Sequence, residues 1–181
     1  MKNLTTKEKE NKAFEVMKEK FGYKNRMSSP HLVKVVVNVG TGSMIKKDKN
    51  KNDFIVERLS KILGQKPSLR LSKQAVAGFK LRQNEAIGVS ATLRGGRMYA
   101  FLDKFLNVSM PRTKDFRGLD RKIVDNIGNI TMGIKEHTIF PETADEDIRD
   151  VFGMSITIVS SAKTKTEAIT FFEIIGIPFK K

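Results

Sequence analysis

"HLVKVVVNVG", residues 31–40, carries valine at every second position. In an extended strand Val33, Val35, Val37 and Val39 fall on one face, and Lys34, Val36 and Asn38 on the other. Such a strand buries one side and leaves the other to water or to a partner.

The same two-residue period recurs outward from this stretch. In "KPSLRLSK", 66–73, Leu69 and Leu71 oppose Ser68, Arg70 and Ser72. In "AIGVSATLR", 86–94, Ile87, Val89, Ala91 and Leu93 oppose Ser90 and Thr92. In "GMSITIVSSA", 153–162, Ile156 and Ile158 oppose Ser155 and Thr157, and "GNITMGI", 128–134, reads as a further short strand.

Helical spacing fills the intervals. Thr5 and Glu8 form a capping-box pair ahead of a stripe at Ala13, Phe14, Met17 and Phe21, with Gly22 as the stop. Asp53 is placed to cap a helix whose stripe is Ile55, Leu59, Ile62 and Leu63, closed by Gly64. Residues 98–106 place Met98, Phe101, Leu102, Phe105 and Leu106 on one face, and Pro111 is expected to end that helix. Thr164 and Glu167 repeat the capping spacing before Ala168, Phe171, Phe172 and Ile175, and Gly176 closes the run. Strands and helices mix without strict alternation. The expectation is an α+β fold in two layers: a mostly antiparallel sheet, helices on one face, and an open polar face. With no repeat and no long linker, residues 1–181 read as one domain, with 74–88 as an extended loop.

Lys and Arg total 34 against 20 acids, a net charge of +14. Residues 1–60 carry +7, residues 61–121 carry +9, and residues 122–181 carry −2. Charge so distributed predicts attraction to a polyanion. Cysteine is absent, which excludes disulfide scaffolds and thiolate zinc sites. "MKNLTTKEKENK" has no apolar core of a secretory signal, and no apolar run reaches a membrane span, so a cytoplasmic protein without membrane contact is expected.

The polar strand face is the candidate site. A solvated face is the ordinary fate of such a surface, and it usually carries long charged side chains. Here Lys34, Asn38, Arg70, Ser72, Ser90, Thr92, Ser155 and Thr157 are mostly short hydroxyls and an amide, which permit close approach to phosphate and ribose. Lys66, Lys73, Arg94 and Arg97 flank it. RNA suits a sheet better than duplex DNA does, because no recognition helix is evident.

Catalysis finds little support. His31 and His137 are the only imidazoles, and neither has an evident partner. "GTGS", 40–43, lacks the Lys-Ser/Thr of a phosphate loop, and "LRGGR", 93–97, reads as a strand-to-helix junction. The acids at 142–150 lack the spacing of a calcium loop. No catalytic residue, metal site or cofactor is expected. An RNA-acting enzyme and a free regulatory RNA binder remain the competing classes.

"GQKPSLRLSKQAVAGFKLRQNEAIGVSATLRGGRMYAFLDKFLNVSMPRTKDFRGLD", 64–120, resembles the central signature of the bacterial ribosomal protein L-five family, the 5S-rRNA-binding proteins of the large subunit. "GNITMGIKEHTIFPE", 128–142, and the terminal "PFKK" resemble its later signatures. The resemblance implies 5S rRNA as the main partner, a neighbouring 5S-binding ribosomal protein, and contacts with 23S rRNA and a small-subunit head protein. It implies that Lys34, Asn38, Gln65 and Thr92 face 5S rRNA, three of them on or beside the polar face. Lys66, Arg70, Ser72, Lys73, Ser90 and Arg94 complete that candidate set. It also implies that the 74–88 loop reaches toward P-site tRNA with Phe79, Lys80, Arg82 and Gln83. Arg112, Lys114 and Arg117 resemble the segment near the intersubunit bridge, and the 142–150 acids would face a basic small-subunit tail. The sequence departs from the family at Gly96, often an acid there; at Asn126 and Ile130, usually glycine and tyrosine; and in "PETADED", 141–147.

Overall fold

The computed structural model describes residues 4–45, 51–114, 116–143 and 151–180. Its elements are α1 (Thr6–Phe21), β1 (Leu32–Gly40), α2 (Gly42–Ile45), α3 (Lys51–Leu63), β2 (Ser68–Leu71), β3 (Ala86–Leu93), α4 (Gly95–Lys104), β4 (Ile130–Ile134), β5 (Met154–Ser160) and α5 (Lys165–Ile175). The strands form one sheet in the order β2-β3-β1-β5-β4, and the fold is α+β with an antiparallel sheet.

Contacts gather into two compact units, each assembled from interleaved pieces of chain. Unit 1 holds residues 1–35, 93–132 and 157–181; unit 2 holds 36–92 and 133–156. The division falls inside β1, β3, β4 and β5, so these strands contribute residues to both units.

In unit 1, α1 begins as its sequence dictates. The Thr5 side chain accepts from the Glu8 N–H, and the Glu8 carboxylate accepts from the Thr5 N–H at 2.9 Å. Gly22 ends the helix in the left-handed region, at φ 69°. Asp103 on α4 accepts both the N–H and the hydroxyl of buried Thr6, each at 2.6 Å, tying α1 to α4. Glu10 of α1 accepts from the Tyr99 hydroxyl at 2.7 Å and from the Leu32 N–H at 3.2 Å. Desolvation, with Glu10 beside it, pushes the Tyr99 phenol well above its ordinary value. The α5 capping box also forms: Thr164 accepts from the Glu167 N–H, and the Glu167 carboxylate accepts from the Thr164 N–H. That carboxylate is buried and accepts from the Tyr23 hydroxyl as well. Ala168, Phe171, Phe172 and Ile175 are all buried, as the stripe requires.

Several expectations need correction. Leu32 is buried whereas Val33 is 38% exposed, so the valine stripe begins at Val35. Asp53 lies within the first turn of α3, after Lys51, and is not its cap. The helix after β3 starts at Gly95, and Pro111 does not end the helical path. A wider turn over Phe105–Ser109 sends the Met110 N–H to the Phe105 carbonyl, and a tight 3-10 turn over Met110–Arg112 carries Pro111 before the chain extends at Thr113. The missing proline N–H falls where the ladder is already shifting. Of the 142–150 acids, residues 144–150 lie outside the described residues.

The loop before β4 shows why two departures from the family are accommodated. Ile130 is fully buried in β4, while Asn126 is exposed. Asp125 accepts from the N–H groups of Ile127 and Asn129 and from the Asn129 amide. Burial alone would raise its carboxyl pKa, but these bonds, with a contribution from the Gly128 backbone, outweigh that and hold it below its ordinary value. Gly128 sits at φ 91°, where a Cβ would lie 2.9 Å from the Ala162 Cβ and 3.1 Å from the Ala162 carbonyl. Gly128→Ala therefore carries both backbone strain and a clash, and should destabilise the chain by about 2–4 kcal/mol in urea unfolding. An unchanged midpoint would show that the loop relaxes freely.

Candidate nucleic-acid interface

In unit 2 the pleat sorts the side chains as the strand pattern requires. Val37, Val39, Val89, Ala91 and Ile156 are buried. On the alternate positions Asn38, Ser68 and Arg70 are exposed, while Thr92 and Ser155 are half-buried. β2 pairs antiparallel with β3, bringing Ser68 opposite Ser90 and Arg70 opposite Gly88. Gly88 lets the backbones approach: a Cβ there would stand 3.2 Å from the Val39 carbonyl and 3.7 Å from the Arg70 Cβ.

Hydrogen bonds fix the frame and leave the working groups outward. Ser155 donates to the Asn38 carbonyl at 3.3 Å, so it holds the Asn38 backbone while the exposed amide side chain stands clear. The Gln65 amide donates to the Thr92 carbonyl at 3.3 Å, linking the residue after Gly64 to β3. Lys66 and Lys73 are exposed at the two ends of β2. In unit 1 Lys34 is half-buried on β1, and Arg94 and Arg97 are exposed around the start of α4.

Two members of the candidate set differ from expectation. Ser72 and Ser90 are each only 6% exposed. Ser72 turns its hydroxyl to the Gln74 carbonyl at 2.6 Å, and Ser68 donates to the Ser90 carbonyl at 3.1 Å. Both serines serve the hairpin more than the surface. The period-2 pattern assigns their face correctly but cannot count the neighbours that cover them.

The 74–88 segment is shorter as a loop than its sequence suggests, because β3 already begins at Ala86. Val76 pairs with Leu81, Ala77–Phe79 make one 3-10 turn, and Lys80 takes φ 53°. This closure leaves Phe79 66% exposed at the tip, with Lys80, Arg82 and Gln83 exposed around it. The ring does not fold back as an anchor.

In unit 1, exposed Arg112 ends the 3-10 turn after α4, and exposed Lys114 follows. Exposed Arg117 precedes Gly118, whose φ is 88°. The C-terminal motif holds this segment: the Leu119 N–H donates to the Pro178 carbonyl and the Lys180 N–H to the Leu119 carbonyl, both at 2.8 Å.

Both imidazoles are structural in their contacts. The His31 ring and the Ser161 hydroxyl lie 2.8 Å apart at the surface. The buried His137 ring stacks on Phe152 at 4.1 Å and accepts the Phe152 N–H at Nδ1.

Comparison with known proteins decides the family. A model described as Ribosomal protein L5 matches residues 25–82, and the model for the C-terminus of that ribosomal family matches residues 86–179. The chain belongs to the ribosomal protein L5 family. It is therefore a ribosomal protein of a structural, non-enzymatic family. Three relatives carry the name Large ribosomal subunit protein uL5. That of Carboxydothermus hydrogenoformans is 46% identical, covering 95% of this chain and 96% of its own. That of Heliobacterium modesticaldum is 48% identical over 91% of each, and that of Limosilactobacillus fermentum 44% identical over the full length of both. Family signatures and fold meet in the L5 elements that position the polar face: "PSLRL" carries β2, and "AIGVSATL" is β3.

Exposure separates surface from frame. Asn38→Ala should change stability by no more than about 0.5 kcal/mol, whereas Ser90→Asp, which buries a carboxylate, should cost roughly 1–3 kcal/mol. Denaturant titration of both variants checks this, and equal losses would refute the assignment.

Proposed function

We propose that this chain is a structural constituent of the large ribosomal subunit, in the cytoplasmic ribosome, and that it seats 5S rRNA on the polar face of its sheet. The relatives named as large-subunit proteins support the first part. The observation that carries the second is the exposed Asn38 amide on β1, in one sheet with Arg70 on β2 and Thr92 on β3, with Gln65 bonded to the Thr92 carbonyl and Lys66 and Lys73 at the ends of β2. In unit 1, Lys34 and Arg94 are cations that we assign to the same RNA. Strands hold these groups at fixed spacing, so RNA meets a preorganised surface and little side-chain ordering remains to be done on binding. Ser72 and Ser90 lie on the same face but are covered, so they offer RNA little exposed surface.

The loop tip serves a second contact. Phe79 offers an aromatic face for stacking, and Lys80, Arg82 and Gln83 surround it with cations and an amide, which suits the elbow of P-site tRNA. Arg112, Lys114 and Arg117 form the surface we assign to 23S rRNA or to the small-subunit head; the neighbouring 5S-binding protein is assigned to the 5S rRNA it shares with this chain. The chemistry is positional: no bond is made or broken.

Filter binding of the full chain to 5S rRNA tests the central claim. If about six phosphates are neutralised, affinity should fall roughly a thousandfold between 50 and 200 mM salt. Asn38→Ala combined with Thr92→Ala should weaken binding roughly 10- to 100-fold at constant salt. Salt-insensitive binding, or no loss in the double variant, defeats the reading.

The loop is tested separately in reconstituted ribosomes. Phe79→Ala should weaken P-site tRNA binding by about 1–3 kcal/mol, with Phe79→Tyr restoring it and 5S rRNA affinity unchanged. Equal tRNA affinity in the alanine variant removes the loop from tRNA contact.

A further inference from the structure

The stretch between α1 and β1, all within unit 1, has features that the strands do not explain. After Gly22 the chain doubles back along α1. The Tyr23 hydroxyl donates to Glu167 of α5, the Arg26 guanidinium to the Asn11 side chain of α1, and the Leu32 N–H to Glu10 of α1 at 3.2 Å. Between these ties residues 24–28 are all exposed. Met27 stands 85% exposed, more than any other large apolar side chain among the described residues.

A single exposed apolar side chain needs no partner in itself. Met27 is set apart by its mounting and by the charge around it. It sits in a 3-10 turn, Arg26–Ser28, bonded on both sides. The Asn25 side chain accepts the Met27 N–H at 3.0 Å, and the Asn25 carbonyl accepts the Ser28 N–H at 3.0 Å and the Ser28 hydroxyl at 2.6 Å. The Ser29 N–H donates to the Arg26 carbonyl, and buried Ser29 and Pro30 anchor the far side. The turn thus holds an unbranched thioether outward on a fixed backbone. Residues 20–47 contain no Asp or Glu. Lys24 and Arg26 flank Met27 and are exposed. The stripe of α1 through Asn11 carries Lys7, Glu15 and Lys18, so cations outnumber acids there too. Glu10 and Glu167, the acids that bond to this stretch, are occupied by the ties that hold it.

We propose that this turn is a nucleobase seat: an unstacked base of 5S rRNA lies against the Met27 side chain, and its flanking phosphates meet Lys24 and Arg26. The inference rests on the assignment of 5S rRNA to β1, because the turn leads directly into that strand and to Lys34. A polarisable sulfur is favourable against an aromatic face, and apolar side chains cover the faces of bases that leave their stack. A nucleotide answers both features at once, since the base covers the thioether and its own phosphates reach the cations. An aliphatic side chain of another protein would cover Met27 and leave the cations unanswered. A second copy of this chain would set one acid-free run against another.

The test is filter binding of the full chain to 5S rRNA. Met27→Ala should weaken binding roughly three- to tenfold at constant salt and leave the salt dependence unchanged. Met27→Leu, which keeps the apolar volume, should stay within about twofold of the unsubstituted chain. Lys24→Gln should instead lower the slope of log affinity against log salt by about one. A benzoylphenylalanine photo-cross-linker at position 27 should join a nucleotide that is unpaired in the free RNA, mapped by the stop it gives to reverse transcriptase. Tight binding of the unsubstituted chain with an indifferent Met27→Ala removes the turn from the interface and leaves the sheet face standing. Failure of the unsubstituted chain to bind 5S rRNA removes both. A cross-link to a paired nucleotide or, in assembled large subunits, to protein alone would also overturn the proposal.

Discussion

The pleat is the constraint from which the rest follows. A strand alternates its side chains between two faces, and this chain spends one face on Val35, Val37, Val39, Val89, Ala91, Ile156 and Ile158, all buried. Their burial fixes register. A slip of one residue would drive Lys34 and Asn38 inward and turn valines to water, at a cost no polar contact could offset. The polar side chains opposite are therefore held in place by the core. No hydrogen bond of their own is needed to aim them, which leaves Asn38 and Arg70 free to meet something else.

Local signals are readable in the sequence because their physics is local. Thr5 with Glu8, Thr164 with Glu167, and the glycines at 22, 64 and 176 each satisfy or release backbone groups within one helical turn. The alternation of β1, β3 and β5 needs only the valines, isoleucines and hydroxyls along each strand. What escapes a sequence reading depends on neighbours far along the chain. Leu69 and Leu71 look like core residues until the sheet order makes β2 an edge. Ser72 and Ser90 look exposed until the hairpin covers them. Leu32 is buried at a position where period two assigns it to the open side, because the start of β1 is bonded to Glu10 of α1. Pro111 misleads for a subtler reason: the wide turn at Phe105–Ser109 has already shifted the ladder, so a missing donor costs nothing there.

The departures from the family can be weighed by burial. Ile130 replaces a larger, polar-tipped side chain inside β4, where an aliphatic residue leaves no hydroxyl to satisfy. Asn126 replaces a glycine at an exposed loop position that does not take positive φ; the residue that does is Gly128, which adopts it without steric cost. Gly96 stands in the first turn of α4, where an acid would favour the helix dipole; that helix also lacks a side-chain cap at Arg94. Of these changes only Ile130 lies in a strand, the edge strand β4, and none falls in β1, β2 or β3, which carry the polar face.

The two cationic surfaces of unit 2 are built differently. On the sheet, strands hold the polar groups at fixed intervals, an arrangement that suits a rigid partner of matching shape and costs little ordering entropy. At the loop tip, one bridge between Val76 and Leu81 and one left-handed residue, Lys80, support an aromatic ring with almost no packing beneath it. A ring so mounted cannot discriminate by fit, but it can follow a partner that arrives and leaves, because stacking tolerates displacement in the ring plane. A permanent partner calls for the first arrangement and a transient one for the second. The burial pattern thus gives one hairpin two kinds of surface, since the same β2 and β3 carry the rigid face at one end and the exposed phenylalanine at the other.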